Sequence, residues 1–185
     1  MNGYEIENIL KQYTITKNIF RGVFSADTLP PIKHDEIYPC SFISNTDPSD
    51  KPGQHWVAYY FESKDKLPEY FCSFGLPPLI QDLINFIPTQ IFKFSNKCLQ
   101  NMTSAYCGYY AIYYILFRCH NFSYDSILKH FTKNTKMNDK YIDIFFDKLN
   151  DSNTSAKTIL RHSKKKKSQV ALPKCQCEYI NLFSE

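Results

Sequence analysis

Apolar residues along this chain recur first at helical and then at strand spacing, and the changes between the two mark its elements. Ile6, Ile9 and Leu10 fall on one side of a helical turn and predict a short amphipathic helix over 4–12. An extended piece follows over 18–24 and is stopped by Leu29-Pro30-Pro31. Alternation returns over 38–44, and the turn-rich run Asn45-Thr46-Asp47-Pro48-Ser49-Asp50-Lys51-Pro52-Gly53 leads to His55. Residues 55–61 read as a buried strand of β-branched and aromatic side chains, with 70–74 as its hairpin partner across a polar connection. Gly75-Leu76-Pro77-Pro78 ends that strand, 79–87 reads as a short helix and 91–94 as another strand. The stretch 108–117 is apolar nearly all round, which predicts the central helix of the fold rather than a surface one. Two more helices are expected over 124–131 and 139–149. A helix, several strands, a central helix and further helices make an α+β domain.

Composition adds a boundary. The 185 residues suffice for one domain with a substantial core, ring-rich with 14 Tyr and 15 Phe. Between Ser152 and Cys177 there are seven basic residues and no acid, which leaves residues 1–151 at a formal −1. We therefore read 1–150 as the domain and 151–185 as a basic, flexible tail. Within it, Lys164, Lys165, Lys166 and Lys167 are either a solvated run or a contact for DNA or a nuclear address. No apolar stretch reaches the 18 residues of a membrane span, and the first residues lack the basic start and small-residue cleavage site of a secretory signal. The seven Cys follow no framework, so free thiols in a reducing, intracellular compartment are expected. Cys175-Gln176-Cys177 has no second Cys or His pair, and no metal or other cofactor is expected.

Candidate chemistry centres on Cys107. It sits where the polar run from Gln100 to Tyr106 meets the central helix, and a thiol at a helix start feels the positive end of the macrodipole, which favours the thiolate. A small buried core cysteine would have the same neighbours. His55 opens an upstream strand and Gln100 lies seven residues before the thiol. Cysteine, histidine and an amide donor are the parts of acyl transfer by a cysteine protease.

Three blocks taken together narrow this further: Asn45-Thr46 through Gly53-Gln54-His55-Trp56, then Cys72-Ser73-Phe74-Gly75-Leu76-Pro77-Pro78, then Gln100 through Cys107-Gly108. Their order and spacing over about 18–130 resemble the adenovirus protease (adenain) family, most of all its relatives in Polinton/Maverick elements and adenovirus-like invertebrate viruses. The resemblance implies an α+β fold of the adenain and SUMO-protease type, with the Cys-bearing central helix packed on a mixed sheet. It implies a viral-type cysteine endopeptidase that cuts virion precursor polypeptides during maturation, in the virion or host nucleus. By the same resemblance, Cys107 is the nucleophile, His55 its base and later acid, and Gln100 an oxyanion donor beside the Cys107 backbone N–H. A peptide or DNA activator is also implied. A monomer without membrane association is expected. Gly108 would leave room for substrate beside the thiol, and Trp56 is either a core ring or packing for the catalytic pair.

One departure stands out. Where the family has an Asp or Glu that orients the histidine, this chain has Cys72. A thiol is a poor acceptor for an imidazole N–H. Three readings stay open: a weakened Cys–His dyad, a substitute acid among Asp47, Asp50 and Glu69, or a copy that folds but does not cut. The last would be a nucleic-acid-associated virion component, and a ubiquitin- or SUMO-like deconjugating protease is the nearest enzymatic alternative.

Overall fold

A four-stranded mixed sheet with helices against it positions everything that follows. The computed structural model describes residues 1–33 and 35–158, with side chains to residue 150. The chain separates into two compact units, Met1–Asp139 and the part from Lys140 on. The first unit holds helices α1 (Gly3–Lys11) and α2 (Thr14–Lys17), strands β1 (Phe20–Phe24), β2 (Cys40–Asn45), β3 (Trp56–Phe61) and β4 (Glu69–Phe71), then α3 (Gln81–Asn85), α4 (Cys107–Cys119) and α5 (Tyr124–Leu128). Helix α6 (Thr135–Thr158) begins there and forms the described part of the second unit. The strand order is β1-β2-β3-β4, with β1 and β2 parallel and the other pairs antiparallel. The expected α+β class and central helix on a mixed sheet are what the structure has.

Both faces of the sheet are covered, and strand alternation decides which side chain goes where. Val57, Tyr59 and Phe61 of β3 join Cys40, Phe42, Tyr70 and Cys72 on one face, where Phe86 inserts edge-on against Phe42 and Tyr59 at 5.1 and 4.9 Å. The other face receives α4, and Phe71 stacks flat on Tyr114 at 4.5 Å. Fully burying side chains of this size stabilises by about 1.5–3 kcal/mol each. Helix α1 starts at a capping box, Asn2 Oδ1 accepting from the Glu5 N–H at 2.9 Å and Glu5 Oε2 from the Asn2 N–H at 2.7 Å, and buries Ile6 and Leu10.

Three expectations are corrected. Residues 91–94 form no strand, and only Lys93 makes an isolated bridge with Glu69. Pro68 lacks the N–H that the next step of a parallel ladder would donate to the Ile91 carbonyl. Strand β4 ends at Phe71 rather than 74, because Ser73 and Phe74 enter the turn closed by the Gly75 N–H on the Cys72 carbonyl at 3.0 Å. Helix α6 begins before 139 and runs on past 149, so the helix is longer at both ends than expected. The rest of the basic tail, Lys164–Lys167 included, lies outside the described residues.

Candidate active site

His55 is delivered by a loop that the sequence closes on itself. Asn45, the last residue of β2, accepts through Oδ1 from the Asp47 N–H at 2.9 Å and the Gln54 N–H at 3.2 Å, while the Thr46 N–H donates to the His55 carbonyl at 2.8 Å. His55 then sits one residue before β3. Strands β3 and β4 pair Ala58 with Phe71 and Tyr59 with Tyr70, and the same register carried on sets His55 opposite Phe74. The two rings stack, centroids 4.5 Å apart and planes at 22°. Cys72 lies two residues back on the same face, and its sulfur is 3.3 Å from His55 Nε2.

The turn after Cys72 is shaped around that sulfur. Gly75 has φ +70°, and a Cβ there would come within 2.6 Å of the Lys97 carbonyl carbon, so no other residue fits. Burial pushes the Cys72 thiol above its ordinary range, and the nearby backbone N–H groups of Leu76, Phe74 and Gly75 pull the other way. Burial also pushes His55 down to about 4, so the imidazole is neutral near pH 7. Its Nδ1 is buried and has no hydrogen-bond partner among the described residues.

Cys107 is the first residue of α4 and is half-buried. Tyr106 before it gives no side-chain cap, and an N–H at this position has no intrahelical carbonyl to bond. Cys107 and His55 line one cavity of about 440 Å³ together with Trp56, Asp47, Ser104 and Ala105. Its remaining wall includes Met1, Asn2 and Gly3, which no local sequence signal placed there. The Trp56 indole N–H donates to the Met1 carbonyl at 3.2 Å. Gly108 is buried: a Cβ on it would lie 3.0 Å from Met1 Sδ and 3.3 Å from both Ile6 Cδ1 and Trp56 Cδ1. The expectation that Gly108 opens space for substrate is therefore corrected; it lets the N-terminal segment and Trp56 close on the helix start.

Gln100 is fully buried and does not line that cavity. Its Oε1 accepts from Ser73 Oγ at 2.7 Å, and its Nε2 lies 2.8 Å from the Ser104 carbonyl and 3.3 Å from Ser104 Oγ. The amide thus ties the segment after Cys72 to the loop that precedes Cys107.

No family model matches this sequence, and no curated protein matches it. The fold is similar to that of ASFV pS273R protease. Two crystal structures of that protein, one with selenomethionine, give TM-scores of 0.49 and 0.48 at 21% and 22% identity, covering 75% and 74% of this chain. The chain spans less than two thirds of that protease's length, 65% and 63% in the two structures. At that identity and overlap the likeness assigns neither activity nor substrate.

The three carboxylates weighed as substitutes for an acid at Cys72 separate clearly. Glu69 points to the α4 face, where Tyr114 Oη donates to its Oε2 at 2.5 Å and Arg118 Nε approaches the same oxygen at 2.7 Å. The Arg118 Nε contact is charge pairing rather than a directed hydrogen bond, since its N–H is poorly aligned. Glu69 therefore cannot serve His55. Asp50 is exposed on the 46–54 loop. Asp47 is buried and shares the cavity wall with His55 and Cys107.

Proposed function

We propose that this protein is a cysteine endopeptidase in which Cys107 is the nucleophile and His55 its base, acting on virion precursor polypeptides. The observation that carries this reading is that a thiol at a helix start and a histidine wall one cavity, the histidine held at Nε2 and free at Nδ1. In this reading Nδ1 takes the Cys107 proton as the sulfur attacks the scissile carbonyl carbon, and the imidazolium then gives it to the departing amine. The Cys107 backbone N–H, with no helical partner, is one donor for the oxyanion. Gln100, the second donor by the resemblance, is buried outside that cavity, and its Nε2 reaches the oxyanion only if the Ser104 side of the loop moves aside as substrate binds. Water finally hydrolyses the thioester by the same base. The order of the three sequence blocks, resembling that of adenain, supports a viral precursor as substrate.

The contact with Cys72 favours a slow enzyme. For Nδ1 to act as base the ring must carry its proton on Nε2, and a thiol accepts that N–H weakly, whereas a carboxylate would fix the tautomer. A peptide-like, thiol-reactive probe tests the assignment. Selective labelling of Cys107 that is lost in His55→Ala, with cleavage of capsid precursors that is lost in Cys107→Ala, is the expected result. Equal, slow labelling of all thiols, or wild-type cleavage by Cys107→Ala, overturns it.

A further inference from the structure

The loop over 100–106 carries Gln100 at one end and delivers Cys107 at the other, and its first residues are held from two sides. The Ser73 carbonyl accepts from the Leu99 and Gln100 N–H groups at 2.8 and 3.1 Å. Opposite stand Asn138 and Asp139, both buried near the start of α6. Asn138 Nδ2 donates to the Leu99 carbonyl at 2.9 Å, and Asp139 Oδ1 accepts from the Asn101 N–H at 3.3 Å. Tyr110 completes the arrangement, its Oη lying 3.0 Å from Asp139 Oδ1 and 3.2 Å from the Leu99 carbonyl. A phenol has one hydrogen to give, and the carboxylate is the stronger acceptor, while the Leu99 carbonyl already has the Asn138 amide. Tyr110 stands one turn beyond Cys107 on α4. A single carboxylate oxygen therefore holds both the residue after Gln100 and the turn after Cys107.

We infer that Asp139 is a positioning residue that fixes Gln100 relative to Cys107 and so sets the spacing of the two oxyanion donors. The inference rests on the protease reading, in which those donors are the Cys107 N–H and the Gln100 amide. Asp139 meets neither substrate nor sulfur; it acts through Gln100. When the Ser104 side of the loop moves aside for substrate, the anchors at Ser73, Asn138 and Asp139 all lie before the moving part and keep the Gln100 backbone in place. Placement matters because a donor has to lie within about 2.7–3.1 Å of the developing charge, and an error of about 1 Å costs roughly a hundredfold in rate. Without Asp139 the Asn101 N–H and the Tyr110 hydroxyl lose their shared acceptor, and the segment that carries Gln100 shifts to find others.

The test is a kinetic double-mutant cycle on the full chain, using a peptide that the wild type cuts, chosen from a proteome-derived library. Asp139→Ala should lower kcat by roughly tenfold or more with KM within about twofold of wild type. In a Gln100→Ala background the same substitution should lower kcat by less than about twofold, because the donor it positions is gone. Asp139→Asn keeps an oxygen that accepts both hydrogens and should hold kcat within about threefold of wild type. Tyr110→Phe removes one hydroxyl and keeps the ring, so it carries the same cycle should Asp139→Ala fail to fold. An unchanged kcat, an effect confined to KM, equal losses with and without Gln100, or an Asp139→Asn variant as slow as Asp139→Ala overturns the inference and leaves the protease reading standing. A wild-type chain that cuts no peptide in the library overturns both.

Discussion

Glu69 and Cys72 lie three residues apart on one strand path, on opposite faces of the sheet, and the two faces use their titratable groups in opposite ways. On the α4 face a carboxylate is buried with a guanidinium stacked at 4.2 Å over the Tyr60 ring, which also reaches Glu62 at 2.9 Å. Burial pushes Glu69 above the usual carboxylate range, and the Arg118 charge opposes that shift most strongly. On the other face a neutral imidazole meets a neutral thiol in a ring-lined setting. The acid nearest Cys72 in sequence is thus spent on structure, and the position that could serve chemistry holds sulfur. Proximity along the chain says little about which carboxylate can orient a histidine; the parity of the strand position decides it.

The largest expected effect separates the faces by stability alone. Glu69→Ala leaves Arg118 buried with only the half-exposed Glu62 as counter-charge and should cost about 3 kcal/mol or more. Cys72→Ala should cost far less, since no buried charge is stranded. Denaturant unfolding of the two variants checks this, and equal losses would erase the distinction between the faces.

Gln100→Ala comes next. The amide links Ser73, beside Cys72, to Ser104 on the cavity wall, and in the proposed mechanism it also meets the oxyanion. A fall in kcat of roughly 10²–10³ with KM little changed is expected for loss of an oxyanion donor. A change confined to KM would leave Gln100 as a brace for the 101–106 loop.

The histidine face should also show itself in acid. His55 and His130 are both pushed by burial from 6.5 down to about 4. The unfolded chain therefore binds these protons first, so the stability they confer is complete above about pH 6.5 and is lost as pH falls towards 4. A shift of that size corresponds to roughly 3 kcal/mol per histidine as an upper figure. His55→Asn should remove about half of this acid dependence, read from urea midpoints between pH 7 and 4. An unchanged slope would mean that His55 is protonated in the folded state.

How much of this the sequence discloses follows from the range of the interactions. Strand alternation and the hairpin register are local, so the β3–β4 pairing and the placement of Cys72 beside His55 could be anticipated from 55–61 and 70–74. The near-uniform apolarity of α4 likewise marked it as central, and ten of its consecutive residues, 110–119, are buried. The four-residue helix α2 carries too little pattern to be read. The strand expected over 91–94 rested on its apolar residues, yet pairing there depends on the neighbours' N–H groups, and only one bridge forms. The N-terminal wall of the cavity and the tight approach to Gly108 come from segments far apart in sequence, where no periodicity points from one to the other.

The smallest expected effect tests the histidine face most directly. Cys72→Asp would place a carboxylate where Nε2 already has a neighbour at 3.3 Å and where the backbone N–H groups of Leu76, Phe74 and Gly75 lie near the side chain. Those N–H groups stabilise an anion far better than a thiol, which offsets much of the cost of burying the charge. The new carboxylate would accept the Nε2 proton, fix the tautomer that leaves Nδ1 as base, and raise the His55 pKa from its depressed value by stabilising the imidazolium. An increase in kcat/KM of about tenfold, or ~1.4 kcal/mol of transition-state stabilisation, is expected, with the acid loss of stability from His55 reduced, since its folded pKa moves towards its unfolded one. A folded Cys72→Asp variant that is slower than wild type would mean that another group, with Asp47 on the same cavity wall the first to examine, already orients His55.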